Sequence, residues 1–522
     1  MLFKHKISHN NIYFLGLILL AVALPFSNLL MSIAQIILFA NWVVEGNLKN
    51  KFRNFLNNRT AIILSGVFFI HVAGLFYTSD WIYGLEDVKK KIPLMLLPLI
   101  ISTSSPLSKE KIHCILKLFL FSVFISTLVS TIIFTGITGK EIVDIRQISV
   151  FISHIRFSLM ICFSFFIAAY FSISKSYKSK LIWAFVSIWF FCFLILMESL
   201  TGLTALFLGL LILAIRWILN QPLKRNLAAA FIIISFLLIP PAYITYHVIE
   251  FYSPYIPKLQ QLEAFSARGE KYSHNMESRE IENGNYVRLY VAINELKETW
   301  NQRSQIKFDS IDRKGHYIEY TILRFLTSKG LRKDAEGVNA LTNEEIIAIE
   351  NGVANYEYQE KSSLNNRIKQ VIWEVDWYLK GYNPTGHSFT MRLEFWRAAW
   401  IIIKENFAMG IGTGDAPAAF KNQYNQINTQ LGKDCWHRSH NQFLAITVAL
   451  GLIGLAYFIF SLIYPFLNIS NRKNYFYLLF FIIVAFSMLS EDTLETQAGV
   501  TFFAYFNSLL LLGFCKKEFF YP

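Results

Sequence analysis

Apolar runs long enough to cross a lipid bilayer recur along the whole chain, and no other feature restricts its fold so strongly. A helix rises about 1.5 Å per residue and needs roughly 20 apolar residues to cross the hydrocarbon core. Runs near 12–29, 30–45, 60–78, 92–104, 112–136, 154–173, 181–198, 202–219, 226–246, 441–465, 474–490 and 496–514 predict about twelve spans. Backbone polar groups inside lipid must be paired within the segment itself, so such runs are read as helices. The fourth run is short and contains Pro93 and Pro98, which predicts a broken or re-entrant segment. Lys4 and Lys6 before the first run raise a signal peptide, but no small-x-small cleavage site follows, and the run is read as the first helix.

Composition agrees. Of 522 residues, 54% are hydrophobic and only 16% charged, yet the net charge is +13. An apolar but basic chain is either a membrane protein or a nucleic-acid binder, and the positions of the charges decide. Lys49, Lys51, Arg53 and Arg59, then Lys109 and Lys111, Lys175, Lys178 and Lys180, Arg216, Lys224 and Arg225, Arg472 and Lys473, and Lys516 and Lys517 occupy alternate loops. All fall on the cytoplasmic side if both termini are cytoplasmic. The long segment 247–439 carries 24 Lys+Arg and 24 Asp+Glu, so it is neutral. The basic balance is therefore a topology signal, and a surface for nucleic acid is excluded.

One polar segment, 247–440, interrupts the apolar pattern, and the alternation puts it outside. Its periodicity is helical: Ile368, Val371, Ile372, Val375 and Leu379 form a stripe within 362–380, and 390–406 repeats the pattern. Thr342 with Glu345 reads as a capping box, and Gly352 suits the helix end. The expectation is an all-α polytopic membrane protein of about twelve transmembrane helices with a large helical periplasmic loop. Its regions are 1–246 with about nine helices, the loop domain 247–440, and 441–522 with about three helices. Cys114, Cys162, Cys192, Cys435 and Cys515 are scattered and give neither a disulfide framework nor a zinc spacing.

Two stretches carry residues able to do chemistry. In the first, Trp436-His437-Arg438-Ser439-His440-Asn441, two histidines and an asparagine stand at the outer mouth of span ten. An imidazole there can accept a proton from a hydroxyl or orient it, and equally can cap a helix. The histidines are three apart, but no carboxylate or cysteine pattern completes a metal site, and none is expected. In the second, Arg392 and Trp396 share a helix face, and Gly410, Gly412 and Gly414 form a turn. Such a turn can touch pyrophosphate, although no strand precedes it and no Lys-Ser/Thr follows, so a nucleotide loop is not expected.

Taken together, the two stretches resemble the O-antigen ligase and polymerase family, bacterial membrane glycosyltransferases that act on undecaprenyl-diphosphate-linked glycans. The shared pattern is an Arg-x-x-x-Trp helix (Arg392, Trp396), a Gly-x-Gly turn (Gly410 to Gly414), His440-Asn441-Gln442-Phe443-Leu444, and Gly451 to Leu455 in the following span. Two departures stand out: Leu200-Thr201-Gly202 lacks a Ser-Arg pair often seen there, and the loop 250–390 is longer than usual. The resemblance implies attack of an acceptor hydroxyl on the anomeric carbon of the donor, with undecaprenyl diphosphate leaving. The leaving group is already activated, so no cofactor is implied, neither nucleotide nor metal. His440 would be the base or orienting group and Asn441 would position it, with His437 nearby. Arg392, then Arg156, then Lys89, Lys90 and Lys91 would meet the diphosphate, with Gly412 and Gly414 as backbone contacts. A snorkelling Arg156 and a solvated lysine face balanced by Asp80, Glu86 and Asp87 are the bland alternatives. The implied partners are the lipid-linked donor, membrane lipids, and lipid A core, glycan or protein as acceptor, at the bacterial inner membrane. A polymerase joining repeat units shares this chemistry. A lipid-glycan transporter or flippase would instead need buried acidic groups and paired halves, which the sequence does not display.

Overall fold

A computed structural model describes residues 8–139, 142, 145–173, 177–219, 222–253, 262–278, 280–359 and 364–514. Lys4, Lys6, Lys175, Cys515, Lys516 and Lys517 lie outside the described residues. The described residues are mostly helical, with one short antiparallel pair, Ile281–Glu282 with Asn285–Tyr286.

Among the described residues, six helices are long and apolar enough to cross a membrane: Arg59–Tyr77, Lys109–Phe134, His154–Ser172, Ser179–Leu196, Leu200–Leu219 and Gln442–Leu467. Asn28–Val44 and Leu48–Asn57, bent by 113°, add a seventh if they count as one span. The expected count of about twelve is not confirmed among the described residues. His9–Ala23, Tyr475–Ser487 and Gln497–Leu512 are apolar but have only 15, 13 and 16 residues. Helices of that length rise about 20–24 Å, short of a core of about 30 Å. Ser8, Asn474 and Thr496 cap their first turns, each accepting a backbone N–H, and the helices end at Ala23, Ser487 and Leu512, before the apolar runs do. The run with two prolines becomes Pro93–Thr103, 11 residues with Pro93 in its first turn and Pro98 inside.

The chain divides into two compact units, Met1–Ala214 with Ser388–Pro522, and Ile215–His387. The first is built on aromatic packing. Phe119, Phe163, Phe480, Phe502 and Phe506 are buried and meet mostly edge to face, with centroids 4.9 Å apart for Phe119–Phe506 and 5.0 Å for Phe163–Phe506. Residues 388–440, read as loop from their polarity, fold with this unit. Helix Ser388–Glu405 buries Phe395, Ala398, Ala399, Ile402 and Ile403 against Phe420, Tyr424, Leu431 and Val448. Hydropathy registers departure from lipid, whereas packing registers which apolar stripe finds a partner.

The second unit has its own core around Trp300, Ile322, Phe325, Leu326 and Ile349. Helix Asn343–Glu350 opens on the expected capping box, in which Thr342 Oγ1 accepts the Glu345 N–H and the Glu345 carboxylate accepts the Thr342 N–H. It closes with Gly352 at φ +75°. The expected stripe forms helix Leu364–Leu379, where Trp373 carries the Arg324 guanidinium 3.5 Å from its ring centre.

Candidate functional site

The site is assembled from four parts of the first unit, each held by its own local chemistry. Arg392 and Trp396, one turn apart on helix Ser388–Glu405, work as a pair. Trp396 Nε1 donates to the Ser439 carbonyl at 2.9 Å. Arg392 donates to the carbonyls of Ser388 (2.7 Å) and Ser490 (3.2 Å), and to Glu491 Oε1 at 3.1 Å. Asn441 is the N-cap of helix Gln442–Ile463, its side chain accepting the Leu444 N–H at 3.1 Å and donating to the Leu489 carbonyl at 2.9 Å. Gln442 adds two bonds to the same loop, N–H to Met488 O at 2.8 Å and Oε1 from the Leu494 N–H at 2.6 Å. Between these anchors His440 is held at φ +45°, a left-handed conformation that costs a non-glycine residue about 1–2 kcal/mol. Strain of this kind persists only where neighbouring bonds impose it.

An open cleft of about 680 Å³ lies over these residues, lined among others by Arg156, Arg392, Arg438, His437, His440 and Glu491. Two carboxylates sit among three arginines. Glu491 puts Oε1 on Arg392 and Oε2 3.7 Å from Arg156. Asp492 lies 3.6 Å from both Arg438 and His440 Nδ1. Arg156 donates one bond, to Ser153 Oγ at 2.7 Å, while its buried Nε has no hydrogen-bond partner. A guanidinium has five donors, so this one keeps capacity for an anion.

Behind the cleft the charges continue inward. Arg438 bonds Glu495 at 2.8 Å, Glu495 bonds Lys91 at 3.1 Å, and Lys91 bonds Asp87 at 2.6 Å. Burial alone would raise the Glu495 carboxyl, but Lys91 and Arg438 outweigh it and hold it well below the carboxylate range. Asp87 is left as the weaker partner, pushed up to about 6 by burial and by Glu495. Burial raises Glu491 as well, with Asp492 adding to it against the pull of His440 and the two arginines. Burial, followed by His440, lowers His437.

The cleft thus unites Arg392, Arg156, His437 and His440, drawn from three distant stretches of sequence. The other residues singled out above do not line it. Asn441 has its side chain committed to the helix cap. Lys89 is exposed, Lys90 lies 5.6 Å over the Tyr83 ring, and Lys91 is fully buried in the ion network, out of reach of a ligand. The glycine turn contacts protein: Gly412 N–H donates to Ala449 O and Gly414 N–H to Thr78 Oγ1, both at 2.9 Å. Gly410 and Gly451 let two backbones meet, since a Cβ on either would fall within 2.6 Å of the other strand of chain.

Arg438, Glu491, Asp492 and Glu495 were not singled out from sequence. The signal for the carboxylates was three acids in five residues, Glu491 to Glu495, between two apolar runs. His440, Glu491 and Asp492 bring one potential ligand atom each within 4.8 Å of one another. Arg392, Arg156 and Arg438 already face those carboxylates, so a cation there would stand among three guanidinium charges, and the group is not read as a metal centre.

A search of curated proteins finds no match to the chain. Residues 338–459, which include Arg392, Trp396, the glycine turn and His440, match the family model described as O-antigen ligase (Wzy_C). That match makes residues 338–459 similar to the O-antigen ligase family.

Proposed function

We propose that the protein moves a glycan from undecaprenyl diphosphate to an acceptor hydroxyl, as an O-antigen ligase-like enzyme of the bacterial inner membrane with its cleft on the periplasmic side. The observation that carries this reading is the convergence of His440 with Arg156 and Arg392 on one open cleft. His440 Nδ1 is turned toward Asp492, which leaves Nε2 to take the acceptor proton. The 3.6 Å separation is longer than a hydrogen bond and would shorten as the imidazole becomes cationic. The acceptor oxygen then forms a bond to the anomeric carbon. The bond from that carbon to the diphosphate oxygen breaks, and its electron pair stays on the leaving diphosphate. Arg156 and Arg392 stabilise that developing charge. Arg438 holds Asp492 in place and Glu495 holds Arg438.

The test is His440→Ala and Arg392→Ala. Each should abolish glycan transfer while the protein still accumulates in the membrane; full activity in both would sink the assignment. Deletion of the protein separates ligase from polymerase. Undecaprenyl-linked polymer of normal length indicates a ligase, and accumulated single repeat units indicate a polymerase.

A further inference from the structure

We propose that Glu491 stands in the donor's diphosphate site in the free protein, and that the donor takes its place at the two arginines only with uptake of a proton by Glu491. This rests on the donor reading above. The geometry points to it directly. The Glu491 carboxylate divides its oxygens between Arg392 (3.1 Å) and Arg156 (3.7 Å), as a bridging anion would. The side chain is only 7% exposed, so it has little water to turn to when an anion arrives. Asp492 is its neighbour in sequence and faces the same cleft. A diphosphate at these arginines would put new negative charge beside both acids, and a buried carboxylate facing like charge binds a proton.

The groups facing Glu491 are Arg156 from helix His154–Ser172, Arg392 from helix Ser388–Glu405, His440 ahead of helix Gln442–Ile463, and Asp492 from its own loop. The free carboxyl already lies above the ordinary range, chiefly through burial, which lowers the cost of protonating it. The donor diphosphate is a diester and stays ionised over the working pH range, so the pH dependence belongs to the protein. The sign follows from linkage. The donor-bound state holds the proton more tightly than the free state. Affinity is therefore highest at low pH and falls, by up to about tenfold per pH unit, as pH rises above the free-state value.

The experiment titrates the full-length protein in detergent with a short-chain prenyl-diphosphoryl-N-acetylglucosamine. Calorimetry in two buffers of different ionisation enthalpy counts the protons. Wild type should take up a proton on binding, with affinity falling as pH rises. Glu491→Gln should bind about tenfold or more tighter at neutral pH and take up fewer protons. Unchanged uptake in Glu491→Gln would place the proton on another group and overturn the proposal, as would weaker binding in that variant. Infrared difference spectra of the wild type give an answer that needs no variant: a gain of carboxylic C=O intensity on binding supports the proposal, and no gain refutes it. Binding that depends on Arg392 and Arg156 without proton uptake removes this inference alone. Absence of binding, or binding indifferent to both arginines, removes the donor reading with it.

Discussion

Gly410→Ala tests whether the glycine turn is a packing device. At Gly410 the backbone has φ +71°, which costs an alanine about 1–2 kcal/mol. The added methyl would also lie 2.5 Å from the Ala449 carbonyl carbon and the Leu450 nitrogen, which are backbone atoms that no rotamer can move. Relief requires the turn to separate from helix Gln442–Ile463, breaking Ile411 N–H to Val448 O (3.0 Å) and Gly412 N–H to Ala449 O (2.9 Å). Each such bond is worth about 1 kcal/mol net, so the expected loss is about 3–4 kcal/mol. Gly46→Ala is the matched control. Gly46 has φ +76°, and a methyl added there would meet nothing within 4 Å, so only the backbone cost of about 1–2 kcal/mol applies. Thermal unfolding of both variants in detergent should rank Gly410→Ala clearly below Gly46→Ala, with glycan transfer lost in the former. Equal melting of the two, or retained transfer with a separated turn, would refute the reasoning.

Two further outcomes concern the ion network behind the cleft. Lys91→Met leaves Asp87 and Glu495 buried together without their shared cation, which should cost about 3–5 kcal/mol and lower membrane accumulation; adding Asp87→Asn should restore part of it. Asp87 has a folded-state value raised to about 6, so its contribution to stability is full below the ordinary carboxylate value and is lost as pH rises through about 6. The melting temperature of wild type relative to Asp87→Asn should therefore fall over that interval, and a difference that rises with pH would contradict the assignment.

Helix class and the neutral polar segment are legible in the sequence, because a bilayer forces long apolar runs and a periodicity of 3.6 survives in a polar helix. Arg392, Trp396 and His440 are legible as a pattern, since one helix face and one helix mouth are local features. The count of full-length spans is not, because hydropathy does not register where a helix ends inside an apolar run, as at Ala23, Ser487 and Leu512. Nor does sequence reveal that the glycine turn packs against helix Gln442–Ile463 where Gly451 breaks its helical backbone, or that three adjacent lysines have three different environments.

The sequence by itself determined a mostly helical membrane chain, the neutral character of its largest polar segment, and the stretch holding His440 and Arg392. Only the tertiary structure decided that Arg156 and the Glu491–Glu495 acids join them, and that Lys91 faces inward. The reason is physical. Periodicity and hydropathy act over neighbouring residues, whereas the charge on the buried Glu495 carboxylate is settled by Arg438 and Lys91, 57 and 404 residues away in the chain.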